Sequence, residues 1–304
     1  MKKSQTKRVK RNISGWLVFN KPYDMSSTEA VGKLRWLLEA KKAGHAGTLD
    51  PLATGILPIA YGEATKTIPY IQNSTKTYHF TLVWGQATST DDKEGEVIAS
   101  SNIRPTEQQV LATLPKFTGK IIQVPPIFSA IKIKGERAYD LARAGKKIVM
   151  KPREIEVESF TLLEHGEEQS SFEVICAKGT YIRALARDLA NELGTKGHIG
   201  ALHRVSVGHF SDENAIDLEQ FENATLEQRE AMLKPVAYGL SSLAEIKIDA
   251  RQAVSIRLGN GVLLTGANAP IKLDEAWVSH KGQAVAIGYV EKGQFKPKRV
   301  ILAG

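Results

Sequence analysis

Apolar and polar residues alternate in several stretches of the chain, which predicts extensive β-structure. In "TYHFTLVWG" the apolar positions are Tyr78, Phe80, Leu82 and Trp84. This period of two is typical of a strand that buries one face. "GWLVFNKP" predicts a short strand that stops at Pro22, and "REIEVESFTLLEH" and "SSFEVICAKG" predict two further strands.

A second pattern, with apolar residues three or four positions apart, predicts helices between these strands. "SSTEAVGKLRWLLEA" has this spacing, and Ser26 followed by Glu29 indicates where the helix begins. "AYDLARAG" predicts a short helix closed by Gly145, and "TYIRALARDLANELG" a longer one with Arg183 and Arg187 on one face. Because helices do not strictly separate the strands, we predict an α+β fold with a mixed, mostly antiparallel central sheet flanked by helices.

The pattern changes again towards the end of the chain. A short helix, a Gly-Asn-Gly turn and a hairpin-like β-segment follow one another after about residue 240. We therefore predict three parts: a basic flexible tail over residues 1–12, a large domain over residues 13–244 and a small β-rich domain over residues 245–304.

Net charge permits a nucleic-acid partner without requiring one. The chain has 41 Lys and Arg against 33 Asp and Glu, a formal net charge of +8. Six of these charges belong to the tail "MKKSQTKRVKRN", so the rest of the chain is only mildly basic. The tail has no apolar run suited to a signal peptide, and no later segment approaches membrane length. We therefore expect a soluble cytoplasmic protein that does not bind a membrane.

Several kinds of site have little support in the residues. The single cysteine, Cys176, excludes an internal disulfide framework, and the nearest histidine pair, His198 and His203, lacks a third metal ligand at suitable spacing. "GEATKT" has Thr65 where a phosphate-binding loop needs glycine. "TDDKEGE" has Lys93 where a calcium loop needs an oxygen ligand, so we predict a solvated acidic turn.

Asp50 is a candidate for chemistry because it lies in a loop that is short of charge and rich in small residues. A free aspartate is ionised at neutral pH and can act as a nucleophile or a base. Arg183 is a suitable partner, since a guanidinium binds a carboxylate with two hydrogen bonds and keeps its proton. From these residue types alone, a turn aspartate before Pro51 and a surface arginine on a helix are equally open interpretations.

Seven stretches, taken in order, resemble the TruB family of bacterial pseudouridine synthases. They are "NKPYDMSS", "GHAGTLDPLATGILPI", "GEATKT", "KTYHFTLVWG", "TDDKEGE", "PPIFSAIKIKGERAYDLARAG" and "KGTYIRALARDLA". The resemblance implies the pseudouridine synthase fold in the large domain and a shortened PUA domain, an RNA-binding β-module, at the end. It also implies isomerisation of uridine to pseudouridine at position 55 in the T arm of tRNA. The enzyme would act as a monomer, with no cofactor, metal or guide RNA.

The resemblance assigns roles to three residues of the first half of the chain. Asp50 matches the aspartate of the "GTLDP" motif and would be the catalytic carboxylate. His45 would occupy the space that the flipped nucleotide leaves in the base stack. Tyr78 would stack on the target base.

Four further residues receive roles by the same resemblance. Tyr181 of "GTYIR" would line the uracil pocket, and Arg183 would pair with Asp50. Leu202 would close the pocket, and Lys132 would contact the RNA backbone. Two positions depart from the usual family pattern, Asp24 and His203, and neither belongs to this set.

Three alternatives stay open at this stage. Asp50 could add to the sugar or base, or could remove the ribose C2′ proton. The chain could be a related synthase that modifies ribosomal RNA or that works with a guide RNA. It could also be an RNA-binding or RNA-folding module whose pocket is vestigial. A glycoside hydrolase is disfavoured, because it would need two carboxylates where the loop supplies Asp50 alone.

Overall fold

A computed structural model describes residues 9–129, 131–133, 135–146, 148–266 and 268–302. The chain divides into two compact units. The first contains the residues up to 50, residues 57–72 and the residues from 213 onwards. The second contains residues 51–56 and 73–212.

Short strands and helices alternate along the described part of the chain. The strands are β1 (Gly15–Lys21), β2 (Ala43–His45), β3 (Thr54–Tyr61), β4 (Lys76–Trp84), β5 (Gln86–Thr88), β6 (Val97–Ser100), β7 (Gly119–Gln123), β8 (Lys132–Ile133), β9 (Glu136–Arg137), β10 (Arg153–His165), β11 (Gln169–Cys176), β12 (Gly197–Val207), β13 (Phe210–Ser211), β14 (Ile216–Asp217), β15 (Ala244–Lys247), β16 (Val262–Leu263), β17 (Leu273–His280), β18 (Gln283–Glu291) and β19 (Gln294–Val300). The helices are α1 (Ser27–Leu37), α2 (Ile68–Gln72), α3 (Glu107–Thr113), α4 (Ala138–Arg143), α5 (Ile182–Glu192), α6 (Leu218–Asn223), α7 (Leu226–Ala231) and α8 (Ala250–Arg257). Single turns of 3-10 helix cover Gly62–Lys66, Leu114–Phe117, Asp212–Asn214 and Val236–Leu240.

The second unit is built on antiparallel strands in the order β12, β4, β11, β10, β7. The alternate residues Phe80, Leu82 and Trp84 of β4 are buried, with Phe80 stacked on Phe172 at 5.2 Å between ring centroids. Helix α5 contributes Leu185 and Leu189, both buried, to the interior. This packing fixes β4 and α5, the two elements on which several predicted site residues lie.

The first unit has its own strand pairings. Strand β1 pairs in parallel with β14, and β2 pairs antiparallel with β3. Nearer the end of the chain, the order β15, β17, β18, β19, β16 forms a smaller sheet. Helix α8 supplies Ala253 and Ile256 to the core of that sheet. The predicted α+β class, with a mixed and mostly antiparallel large sheet and a small β-rich C-terminal part, is confirmed.

Local signals in the sequence place several boundaries correctly. Helix α1 begins after Ser26, whose side chain accepts a hydrogen bond from the Glu29 amide as the capping spacing predicts. Strand β10 has the predicted bounds, and Gly145 after α4 has a positive φ of 69°. Such signals need only a few adjacent residues, which explains why they are readable from the chain.

The ends of the first unit are held by specific contacts. Glu63 accepts a hydrogen bond from the Leu302 amide at 2.6 Å, and the Lys66 ammonium donates to the Val300 carbonyl at 2.9 Å. The "GEATK" segment is therefore a structural turn that holds the last described strand. Within the predicted tail, residues 1–8 lie outside the described residues, and Arg11 pairs with Glu230 at 2.7 Å. Among the described residues, no helix is long and apolar enough to cross a membrane.

Candidate active site

The Asp50 loop of the first unit is anchored by a buried serine. The hydroxyl of Ser27, in the first turn of α1, accepts a hydrogen bond from the Leu49 amide at 2.8 Å and donates one to the Leu49 carbonyl at 2.9 Å. Leu49 itself is buried, whereas Asp50 is only half-buried. The residue before Asp50 is thus fixed through both of its backbone polar groups, which orders the carboxylate's own backbone.

His45 lies at the end of β2, close in sequence to Asp50. It is opposite Ile59 of β3 in an antiparallel pair, and the next amide, that of Ala46, donates to the Pro58 carbonyl at 2.9 Å. The pairing with β3 fixes the backbone on the amino-terminal side of the loop. The Ser27 hydrogen bonds fix it again at Leu49. His45 and Asp50 are therefore carried by a loop that is fixed at two points within the first unit.

Glycine is required where β3 begins, in the second unit. Gly55 has a φ of 98°, and a Cβ atom there would lie 2.3 Å from the Arg204 carbonyl oxygen. Strand β3 pairs in parallel with β12 at this point, and the Arg204 guanidinium Nε donates to the Ile56 carbonyl at 2.7 Å. The second glycine of "GTLDPLATG" thus allows two backbones to approach closely.

Tyr78 and Leu202 lie on neighbouring strands of the second unit. Tyr78 in β4 is opposite Val174 of β11 and Arg204 of β12. Leu202 in β12 is buried and is opposite Phe80 of β4, two positions from Tyr78. Two of the predicted pocket residues are therefore close on adjacent strands, each with its backbone hydrogen-bonded into the sheet.

Tyr181 immediately precedes α5, the helix that carries Arg183. Its backbone N–H donates to the Gln123 side-chain oxygen at 2.9 Å, and its carbonyl accepts from the Gln123 amide nitrogen at 3.1 Å. The Arg153 guanidinium lies 4.8 Å from the centroid of its ring. Tyr181 is thus held through its backbone and its ring by residues of β7 and β10.

Arg183 is buried and contacts two segments of the second unit. Its guanidinium lies 3.4 Å from the Asp92 carboxylate and donates to the carbonyls of Thr90 at 2.8 Å and Phe128 at 2.9 Å. The Asp92 side chain is 4% exposed. The prediction of a solvated acidic turn is therefore wrong for Asp92, because Arg183 compensates its charge in the interior, whereas Lys93, Glu94 and Glu96 are exposed.

Arg187, one turn along α5, makes a parallel set of contacts. Its guanidinium donates to the Asp91 carboxylate at 2.9 Å and to the Val124 carbonyl at 2.8 Å. Burial raises the pKa of Asp91, and the neighbouring Arg187 opposes that rise. The two arginines noted on one helix face thus bind the two adjacent aspartates of "TDDKEGE", a link that the sequence analysis missed.

Lys132 lies in a two-strand hairpin of the second unit. Strand β8 pairs with β9, and Lys132 is opposite Arg137. Its side chain is exposed. The structure brings Tyr78 and Leu202 close together on adjacent strands of the second unit, where Tyr181 and Arg183 also lie. His45 and Asp50 lie in the first unit. The pairing of Arg183 with Asp50 stays a prediction.

A metal site is not formed by the part of the chain that the structure describes. No three His, Cys, Asp or Glu side chains come together there in a way that could hold an ion. The residues predicted for the site are the carboxylate Asp50 and His45 in the first unit, and Tyr78, Tyr181 and the buried Arg183 in the second. Such a set is suited to binding a planar base and to acid–base or nucleophilic chemistry.

The fold is shared with chains in solved structures of two complexes. A chain in the crystal structure of a Cbf5-Nop10-Gar1 complex superposes with a TM-score of 0.73 at 23% identity, covering 95% of this chain and 85% of that one. A chain in the structure of an H/ACA RNP bound to a substrate RNA containing 2′-deoxyuridine gives 0.73 at 21% identity over the same shares. At this level of identity the likeness shows the fold alone.

Sequence comparison then defines the class. Residues 35–182 match the TruB family pseudouridylate synthase N-terminal domain, and residues 183–241 match the tRNA pseudouridylate synthase B C-terminal domain. The protein is a pseudouridine synthase, which is an isomerase.

Full-length relatives define the family. The tRNA pseudouridine synthase B of Mesorhizobium japonicum is 49% identical over 97% of this chain and 98% of its own length. The proteins of the same name from Brucella ovis and Agrobacterium fabrum are 47% and 49% identical, each over 98% of both chains. The chain belongs to the TruB family of pseudouridylate synthases, as its motifs predict.

Proposed function

We propose that this enzyme converts uridine to pseudouridine at position 55 in the T arm of tRNA. The observation that carries the proposal is the 47–49% identity, over nearly the whole chain, to relatives named tRNA pseudouridine synthase B. A match of this length includes both the Asp50 loop and the "GTYIR" segment. It favours the same substrate as well as the same reaction.

We assign the chemical step to Asp50. In the reaction the bond between ribose C1′ and uracil N1 breaks, C1′ bonds to C5, the hydrogen leaves C5, and N1 gains a proton. One carboxylate suffices, either by adding to the sugar or base or by removing the C2′ proton, and both routes are consistent with the proposal. The Ser27 contacts to Leu49 support it, because they order the backbone that carries Asp50.

The other residues would bind the flipped nucleotide. Tyr78 would stack on the uracil, and Tyr181 and Leu202 would form pocket walls. His45 would fill the vacated place in the RNA stack. Extruding a base costs a few kcal/mol, and an aromatic stack of about 1–3 kcal/mol offsets much of that cost.

The two charged residues would have different partners, one in the protein and one in the RNA. Arg183 would pair with Asp50 through charge-assisted hydrogen bonds, while the exposed Lys132 would contact an RNA phosphate. We further propose a monomer that acts in the cytoplasm, without cofactor or guide RNA.

A minimal substrate tests the proposal. The protein is incubated with a synthetic T-arm stem-loop whose position-55 uridine carries tritium at C5, and tritium release is measured. We expect release without any added RNA, and none from a stem-loop with cytidine at that position. Release only with a guide RNA or ribosomal RNA would refute the assignment to tRNA.

The Asp50→Asn variant separates catalysis from binding. We expect turnover to be lost while the affinity for the stem-loop changes by less than about threefold, since phosphate contacts dominate affinity. Near-normal turnover in this variant would refute the role of Asp50. If the unsubstituted protein binds the stem-loop but shows no turnover, the chain is instead an RNA-binding module.

A further inference from the structure

Gln123 and Arg153 lie outside every family motif role discussed above, yet both side chains contact Tyr181. They are directly opposite each other on β7 and β10 of the second unit. Opposite residues of an antiparallel pair project from the same face of a sheet. Both side chains therefore leave the sheet on the side where Tyr181 lies.

The Gln123 side chain binds the Tyr181 backbone as the main chain of a neighbouring β-strand would. Its side-chain amide makes two hydrogen bonds to the N–H and C=O of one residue, Tyr181, at 2.9 and 3.1 Å. The same Tyr181 carbonyl accepts from the Leu185 amide, the first hydrogen bond of helix α5. Gln123 is only 1% exposed. Because the oxygen and the nitrogen of this buried amide both bond to Tyr181, the backbone of Tyr181 is held in a single position.

Arg153 fixes the ring of the same residue. Its guanidinium carbon lies 4.8 Å from the Tyr181 ring centroid, and its Nη2 donates to the Gly179 carbonyl. Its Nε is buried and has no hydrogen-bond partner among the described residues. A buried N–H without an acceptor costs stability. The guanidinium thus contacts the Tyr181 ring and the Gly179 carbonyl while its own Nε–H lacks an acceptor among the described residues.

We propose that Gln123 and Arg153 are positioning residues, which hold Tyr181 as a preformed wall for the planar pyrimidine base. The inference rests on the proposed function, in which Tyr181 lines the uracil pocket. One face of the ring is covered by the guanidinium, and the base meets the ring elsewhere. A wall that is ordered before the base arrives improves orientation at the reacting atoms. It adds little to RNA affinity, because contacts to the phosphates dominate that affinity.

The test is a set of single-turnover rates on the T-arm stem-loop, each with a stem-loop dissociation constant and a melting temperature. Arg153→Met keeps the length of the side chain and removes its charge. We expect the rate to fall about tenfold, with the dissociation constant within about twofold. Arg153→Lys restores a cation and should recover part of the rate. A role in stability alone would give no such recovery.

A double-mutant cycle tests whether Arg153 acts through Tyr181. In a Tyr181→Leu background, Arg153→Met should slow the reaction by less than about twofold, because the ring that it positions is absent. If the rate losses of Arg153→Met and Tyr181→Leu multiply in the double variant, the inference is overturned. A normal rate for Arg153→Met together with a reduced rate for Tyr181→Leu would also overturn it.

Controls separate this inference from the proposed function. Lys120→Met removes an exposed cation from β7 that pairs with Glu154 at 3.9 Å, and its rate should be unchanged. Gln123→Leu should show the same split between rate and affinity; if it does not fold, the Arg153 series decides alone. A normal rate for Tyr181→Leu would overturn the inference, while an inactive Asp50→Asn would leave the proposed reaction standing.

Discussion

Arg183 and Asp92 form an ion pair in the interior of the second unit, with Nη1 3.4 Å from Oδ2 and 4% of each side chain exposed. Asp92 Oδ1 also accepts hydrogen bonds from the Thr90 hydroxyl at 2.5 Å and the Glu94 amide at 3.1 Å. The carboxylate is thus fully engaged, and the position of Arg183 depends on it. Removing either partner leaves an uncompensated charge in a dry environment.

Asp92→Ala should therefore lower the free energy of unfolding by about 3 kcal/mol, because it leaves Arg183 buried without this carboxylate. Urea denaturation at neutral pH measures the change. Glu154→Gln, which removes the exposed partner of Lys120, is the control and should cost less than about 1 kcal/mol. Equal losses in the two variants would show that the Asp92 pair is not buried in solution.

Ser27→Ala should slow turnover as well as reduce stability. It removes both hydrogen bonds to Leu49 and leaves a buried amide without an acceptor, at a cost of about 1–3 kcal/mol. Ser26→Ala is a matched control, since it removes the cap of α1 at about 1 kcal/mol without touching Leu49. We expect single-turnover rates to fall only for Ser27→Ala. Equal rates would contradict a link between Ser27 and the Asp50 backbone.

The stability of the protein should depend on pH through Lys76. Burial, and then the nearby Arg204, lower the pKa of Lys76 from 10.5 to about 8. Between these values the unfolded chain binds more protons at this site than the folded chain, so stability contributed by this site rises with pH across that window.

Lys76→Met abolishes this titration. The unfolding free energy of the unsubstituted protein, relative to that of the variant, should therefore rise by about 2 kcal/mol as the pH increases from about 8 to about 10.5. Denaturation curves at several pH values test this. A flat difference for Lys76→Met would contradict the lowered pKa.

Gly55→Ala should be far more damaging than the same change at Gly194. Both glycines have positive φ, but a Cβ at Gly55 would lie 2.3 Å from the Arg204 carbonyl, whereas a Cβ at Gly194 meets nothing within 4 Å. We expect about 1 kcal/mol of destabilisation at Gly194 and at least about 3 kcal/mol at Gly55. Thermal unfolding of both variants measures the contrast, and similar losses would contradict the close approach of β3 to β12.

Much of the fold could be predicted because its signals are local. The cap at Ser26, the alternation that buries Phe80 and Trp84, and the glycine after α4 each depend on a few adjacent residues. The motif residues Asp50 and Arg183 could be named from the resemblance to a family. Neither their burial nor their contacts could be obtained in that way.

The contacts that order the site join residues far apart in the chain. Gln123 reaches Tyr181 across 58 positions, and Arg183 reaches Thr90 across 93. No periodicity marks such pairs, because the folded sheet brings them together. The sequence predicts a solvated turn for the aspartates of "TDDKEGE", because acidic side chains usually stay in water. The sequence offers one hint of the buried pairs. Arg183 and Arg187 share a helix face, and two adjacent arginines on one face call for two nearby acidic partners.

Arg183 and Arg187 hold the segment before the Lys132 hairpin through the main-chain oxygens of Phe128 and Val124. Every amino acid offers the same oxygen. Side chains at these two positions can therefore change over evolutionary time without loosening the anchor.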